Sequence, residues 1–353
     1  MQTGSRPRIQ QNEQLTLKPD AYPCLLPIVA YTPEATYIGR LKLGPLSPAE
    51  ITLAAGLDGS TAYGELVERT PSYREISPFL DHLIWWDRPL SNNPQTSNGV
   101  PCLVISPHPD DAEFSMGGWL IKQRDQQEFV HAICFTQLAY TQFPDAFPST
   151  CEVSAVRKSE ARMTGTMLGL RSVDFQFPDF DVRTREIPEE EFREREQDVE
   201  NLLRIALHRL IAETKPREIF APAAIGNHPD HRLVFKIMLD FFDANRFPGV
   251  KIHFYEDIPY AASYYEIDNF LARFETSYIT VRPWVEEISP VLNLKRTLCE
   301  VYRSQASPGF SELIDRIAAR TAEFLPLPDG RGSVTSRAAE RFWTLEESVL
   351  LAD

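Results

Sequence analysis

Cysteine is scarce in this chain and nowhere paired in sequence. Its five cysteines (Cys24, Cys102, Cys134, Cys151 and Cys299) are scattered through 353 residues, with no CxxC among them. An odd number at such spacing in a long chain argues against a disulfide framework and for buried, reduced thiols. Long apolar runs are also missing. The run at 25–31 is far short of the ~18 residues a membrane helix needs, so no membrane span is expected. The first 20 residues are polar and carry no signal-peptide apolar region, which predicts a cytoplasmic protein. No basic stripe is present. Against 50 Asp and Glu there are 36 Lys and Arg, a net charge of -14, which argues against a nucleic-acid partner. Small anionic substrates stay open, because their binding depends on local charge. Gly117-Gly118 is not a GxGxxG phosphate loop. Two glycines in a helical pattern cost about 2 kcal/mol relative to alanine, so they predict close packing against another backbone.

Apolar residues make up 43% of the chain, enough for a substantial core. Its length suits one large domain with a small one attached. Residues 1–21 read as a flexible leader. Residues 22–90 read as a small winged-helix-like domain. Strand-like alternation runs over 31–43. A helix is expected from Ser47, with Pro48 at the first helical position and Glu50 at the capping-box position. Helices over 62–68 and 77–83 follow, then a strand over 84–86. The segment 62–74 carries as many acids as bases, so a peptide or carrier partner, or the chain's own second domain, suits it better than DNA. Residues 91–100 read as a polar linker.

From residue 101 to 353 the texture changes to alternating strands and helices. Strands are expected over 102–106, 129–135, 173–175, 218–221, 251–255 and 276–281. Helices are expected over 113–124, 154–168, 192–214, 229–242 and 284–303. A βαβα rhythm of this kind predicts an α/β fold, with a Rossmann-like, mostly parallel sheet covered by helices on both faces. Residues 326–336 read as an exposed loop.

Two short polar clusters sit at strand ends, where open α/β sheets bind ligands. The first is Ser106-Pro107-His108-Pro109-Asp110-Asp111. His108 and Asp111 are three apart, and a turn can aim both at one point, a partial ligand set for zinc or iron(II). Asp110 would stay beside the metal, where a carboxylate can take a proton from water. Taken alone, either aspartate would pass for a helix N-cap. The second cluster is Asn227-His228-Pro229-Asp230-His231. His231 can supply a third ligand. His228 would lie near the same point, and Asp230 can hold one of these imidazoles in its tautomer. His82, His131, His208 and His253 lack comparable acids and read as structural. Arg157 and Glu160 lie on one helix face, either as a surface ion pair or at the site. Tyr255-Glu256-Asp257 ends another strand and can reach the same crevice.

In these clusters the chain resembles the PIG-L/LmbE-like family of zinc-dependent N-acetylglucosaminyl deacetylases. The likeness also takes in Arg157 with Glu160, Leu168-Gly169, Tyr255-Glu256-Asp257-Ile258-Pro259-Tyr260 and Tyr302-Arg303-Ser304-Gln305. It covers roughly residues 100–310. The resemblance implies that His108, Asp111 and His231 bind Zn2+ or Fe2+. It implies that Asp110 is the general base and that His228, protonated and oriented by Asp230, stabilises the transition state. Arg157 and Asp179 would contact sugar. Some members carry a tyrosine two places before the first histidine of the second motif. Gly226 stands there in this chain, so Tyr260 or another residue would have to substitute. The implied reaction is hydrolysis of an N-acetyl amide on an N-acetylglucosaminyl conjugate, giving acetate and a free amine. The alternatives are a deacylase of a longer-chain or carrier-linked amide and a non-catalytic sugar-binding relative.

Overall fold

The computed structural model describes residues 100–325 apart from 186, 276–278 and 308, residues 337–347, and short stretches between 22 and 88. The leader, the helix start at Ser47, the helix expected from 77, the linker up to 99 and the loop at 326–336 lie outside the described residues.

Within 22–88, Ala54, Glu65, Leu66 and Glu68 are helical, inside the helices expected from Ser47 and over 62–68, and the Leu66 N–H donates to the Ala62 carbonyl at 3.0 Å; the other described elements are strands. β1 (Tyr22–Leu25) pairs antiparallel with β5 (Leu83–Trp86), and β2 (Val29–Tyr31), β3 (Thr36–Ile38) and β4 (Leu41–Gly44) form an antiparallel meander. β5 is tied to the α/β body. Trp86 is fully buried in one core cluster with Leu26, Trp119 and Phe129. Arg88 pairs bidentately with Asp125 at 2.7 and 2.8 Å.

The α/β body begins with β6 (Cys102–Ser106), α1 (Asp111–Gln123), β7 (Phe129–Gln137), α2 (Thr150–Leu168) and β8 (Arg171–Pro178). There follow α3 (Phe180–Thr184), α4 (Glu189–Thr214), β9 (Glu218–Pro222), α5 (Pro229–Asp243), β10 (Lys251–Tyr255) and α6 (Tyr264–Ala272). The body ends with β11 (Ile279–Glu287), α7 (Leu292–Glu300), α8 (Phe310–Thr321) and β12 (Ala339–Glu347). Seven strands form one sheet in the order β11-β12-β10-β9-β6-β7-β8. The five from β10 to β8 run parallel, and β12 and β11 close one edge as an antiparallel ribbon. All five residues of β6 are buried, which is why it reads as a continuous apolar run rather than an alternation. Leu203, Leu207 and Ile211 of α4 and Val234, Ile237 and Met238 of α5 pack into one core cluster with β6, β7 and β9. Trp119 and Leu120 of α1 and Val153 and Met167 of α2 build the second.

Connectivity places the site. The chain steps from β6 to β7 to β8, then returns to lay β9 against the other flank of β6. Loops leaving β6 and β9 therefore diverge and open a crevice at their carboxyl ends, the usual ligand position in such sheets. Both histidine-aspartate clusters follow these two strands.

Two expectations need correction in the last third. The helix expected from 284 starts at Leu292, because Trp284 to Glu287 belong to β11, where Trp284 stacks on Phe342 with ring centroids 4.2 Å apart. β12 was not anticipated from the sequence. It does not alternate, because Glu340 and Arg341 are both buried. Each is paired: Lys295 Nζ donates to Glu340 Oε1 at 2.6 Å, and Arg341 Nε donates to Glu256 Oε1 at 2.5 Å. The glycine pair also behaves differently from expectation, meeting side chains rather than backbone. α1 is interrupted at Met116 (φ -131, ψ 17). The N–H groups of Gly118 and Trp119 donate to the Glu340 carboxylate at 2.8 and 2.7 Å. A Cβ on Gly118 would sit 2.7 Å from Ile288 Cγ2. We therefore expect Gly118→Ala to lower the unfolding free energy by about 1–3 kcal/mol, the cost of overpacking a filled core. Chemical denaturation measures this, and an unchanged midpoint at unchanged slope would contradict the close approach.

Candidate metal centre

The first cluster turns sharply as it leaves β6. Asp110 is the N-cap residue of α1, but its side chain makes no capping bond, so the bland capping role does not account for it. Asp111 folds back instead: its Oδ2 accepts the His108 backbone N–H at 2.7 Å. The second cluster leaves β9 through a turn in which Ala224, Gly226 and Asn227 all have positive φ. Arg273 donates to the carbonyls of Ala223 and Ala224 and to Asn227 Oδ1, and Asp257 Oδ2 accepts the Ile225 N–H at 2.9 Å. His228 caps α5 and Pro229 takes its first position, as the missing N–H of proline allows.

The clusters converge. His108 Nδ1 and His231 Nε2 each lie 3.3 Å from Asp111 Oδ2. Ligand atoms of His108, His228 and His231 also fall within 4.8 Å of one another. These donor sets overlap. A tetrahedral zinc with ligands at about 2.0–2.2 Å spaces its donors about 3.3–3.6 Å apart, which the two distances from Asp111 to His108 and to His231 match. The far nitrogen of each of these two imidazoles is held by a carboxylate: His108 Nε2 by Asp230 Oδ2 at 2.9 Å, and His231 Nδ1 by Asp257 Oδ1 at 2.5 Å. Such outer carboxylates orient ligating histidines and raise their basicity. His228 has a buried Nδ1 without a partner, and its ring centroid lies 5.0 Å from that of His108.

Electrostatics separates the groups. Burial opposes a charge on His108, yet its bonds to Asp111 and Asp230 push its pKa up to about 10. Burial likewise works against ionising Asp111, but His231 and His108 outweigh it and hold that carboxyl below the usual range. Asp230 is held at about 2 against its burial, by His108 and Arg183. Asp110 goes the other way: burial raises it, and the Arg157 guanidinium only partly offsets that. His228 is pushed down to about 4 by burial and by the charges of His108 and His231. A divalent cation beside it would act in the same direction.

The expected site residues mostly meet here, with three changes of role. The resemblance paired Asp230 with His228, while the residues alone left either imidazole open; here Asp230 bonds His108, and Arg183 Nη1 lies 2.7 Å from its other oxygen. His228 was expected to be protonated, whereas burial, and after it the charges of His108 and His231, push its pKa down to about 4. Asp179 lines the cavity, but its oxygens accept the N–H groups of Val182 and Ala139 at 2.8 and 3.0 Å, so it organises two loops. Arg157 and Glu160 are buried and not paired with each other. Arg157 Nη2 donates to both Asp110 oxygens at 3.0 and 3.1 Å, while Glu160 accepts from the Ser304 backbone and hydroxyl. Asp257 and Arg183 are the partners that sequence reasoning left without a role. Asp257 had a signal, its place at a strand end; Arg183 had none. Tyr260 fills the space over Gly226: a Cβ there would lie 2.4 Å from its Cγ. A cavity of about 500 Å3 opens over this cluster, lined by His108, Asp110, Asp111, His228 and His231 among others.

Residues 103–242 match the family model for GlcNAc-PI de-N-acetylase, PIG-L. The chain is 28% identical over 169 residues to a 2'-N-acetylparomamine deacetylase of Streptomyces fradiae, a match covering 47% of this chain and 60% of that relative. Two solved structures share the fold, each 20% identical, with a TM-score of 0.52 and cover of 70% of this chain. One is the A40926 pseudoaglycone deacetylase Dbv21, 98% covered, and the other the zinc-inhibited form of teicoplanin deacetylase Orf2, 99% covered. Residues 103–242, which hold both histidine-aspartate motifs, are therefore similar in sequence to the PIG-L de-N-acetylases, and the α/β body shares its fold with the two deacetylases.

Proposed function

We propose that this protein is a metal-dependent N-deacetylase that hydrolyses the acetyl amide of an N-acetylated amino-sugar conjugate, releasing acetate and a free amine. One observation carries the reading: His108 Nδ1 and His231 Nε2 converge on Asp111 Oδ2, each at 3.3 Å, with Asp110 next in sequence and His228 Nδ1 unpartnered. These three are the proposed ligands, and their nitrogen and oxygen chemistry suits zinc, with iron(II) as the alternative. When bound, the metal supplies Lewis-acid polarisation of the amide carbonyl and lowers the pKa of the attacking water. The relative's deacetylation of an aminoglycoside supports the amino-sugar substrate.

Asp110 is the proposed general base. Its carboxylate is buried, and Arg157 holds both its oxygens, so it is fixed in place and more basic than an exposed aspartate. His228 is a neutral donor: its free ring N–H can meet the developing oxyanion without carrying a charge. Tyr260 takes the place of the tyrosine that some members carry at the position of Gly226. Gly226, at φ +84, leaves room for its ring.

Four outcomes test this. Chelation should abolish acetate release, and added zinc or iron(II) should restore it; full turnover by a verified metal-free preparation would sink the proposal. Asp110→Ala should retain metal and lose turnover by a factor on the order of 10² or more. In the native enzyme, kcat/KM should fall with acid as Asp110 protonates. Burial raises that group, so the acid limb should lie above the ordinary aspartate range; a limb at or below that range would remove Asp110 as base. Tyr260→Phe should reduce kcat more than it changes KM, and an unchanged kcat would mean that the ring only fills space.

A further inference from the structure

The cavity over the metal centre is lined by two chemically different groups of side chains. One is polar and knitted together: Gln142 Nε2 donates to Tyr140 Oη at 2.7 Å and to the Gln305 carbonyl at 3.1 Å, and Gln305 Nε2 donates to the Tyr140 carbonyl at 3.1 Å. Such planar amides and a phenol suit sugar hydroxyls, which need hydrogen-bond partners when they leave water. The other group is apolar. Phe310 and Leu313 of α8 are half-buried, back onto the cluster of Phe114 and Ile258, and face the cavity. Phe310 packs on Phe114 with ring centroids 4.5 Å apart. This apolar surface offers a sugar hydroxyl no partner, and the metal and the base have no need of it. Both residues lie beyond the segment 103–242 that the family model matches.

Charge narrows the class further. Asp110, Asp111, Asp179 and Asp181 line the same cavity. Among the described residues lining it, Arg157 is the one arginine, and it already faces the Asp110 carboxylate. Beyond the metal centre, an aglycone bearing phosphate or carboxylate would meet Asp179 and Asp181 with no unpaired Lys or Arg among those described lining residues. At about 500 Å3 the cavity falls in the range of roughly 300–1,000 Å3 that encloses drug-sized ligands.

We propose that the substrate is an amphipathic conjugate: an N-acetylated amino sugar carrying an uncharged, apolar aglycone, with the aglycone seated on Phe310 and Leu313. The proposal rests on the deacetylase reading of the metal centre, and it adds what selects the substrate. The test compares hexyl and methyl glycosides of N-acetylglucosamine on the zinc-loaded full chain, by calorimetric binding and by acetate release. Each buried methylene contributes up to about 0.8 kcal/mol. With part of the hexyl chain buried, the hexyl glycoside should bind about 10-fold tighter than the methyl one. Phe310→Ala and Leu313→Ser, both at half-exposed positions, should bring the hexyl-to-methyl ratio in affinity toward one. Equal binding of the two glycosides by the native protein, binding of neither, or an unchanged ratio in both variants would overturn the aglycone site. Selective hexyl binding without acetate release would sustain the aglycone site while refuting the deacetylase reading.

Discussion

The hydrogen bond between His108 Nε2 and Asp230 Oδ2 spans 122 positions of sequence and joins the two motif loops. Everything at the crevice depends on it. It exists because β6 and β9 lie side by side in parallel, so their following loops start level with each other. It fixes which nitrogen of His108 faces Asp111, since the other is occupied. Asp230 is in turn held by Arg183 and by the Phe180 N–H. A carboxylate so supported keeps its charge in a buried setting, where an unsupported one would take up a proton.

Behind the site lies a second layer of buried charge. Glu340 receives Lys295 and two N–H groups from the break in α1; Glu256 receives Arg341 and the Trp343 indole. These pairs tie the antiparallel ribbon to the parallel body. α1 carries Asp110 at its cap and Asp111 in its first turn. Through that helix, the ribbon at the sheet edge contributes to the placement of the proposed base and one proposed ligand. A buried pair is costly to break, because one partner's loss strands the other. The arrangement therefore confers rigidity more than net stability.

Much of the parallel body was legible in the residues. Strands such as 102–106 and 251–255 are short apolar runs bounded by turn signals; α2 was expected only from 154, but its capping box of Ser149 and Glu152 starts it at Thr150. Both depend on neighbours close in sequence. The strand expected over 276–281 meets only the start of β11, and β12 was illegible for the opposite reason. Its buried glutamate and arginine make sense only beside Lys295 and Glu256, which pairing across the fold brings up. Trp284 looked like the start of a helix because its partner, Phe342, lies far along the chain.

For the site the division is similar. Residue types and spacing by themselves determined that His108, Asp110 and Asp111 form one group and His228, Asp230 and His231 another, since residues three apart on a tight turn cannot be far from each other. Their chemistry then implied a metal. Tertiary structure decided the partnerships: Asp230 with His108, Asp257 with His231, Arg157 with Asp110, and Tyr260 over Gly226. It also lowers the pKa of His228, which depends first on burial and then on the neighbouring His108 and His231. Local geometry can be read along a chain, whereas desolvation and pairing belong to the space that the folded chain encloses.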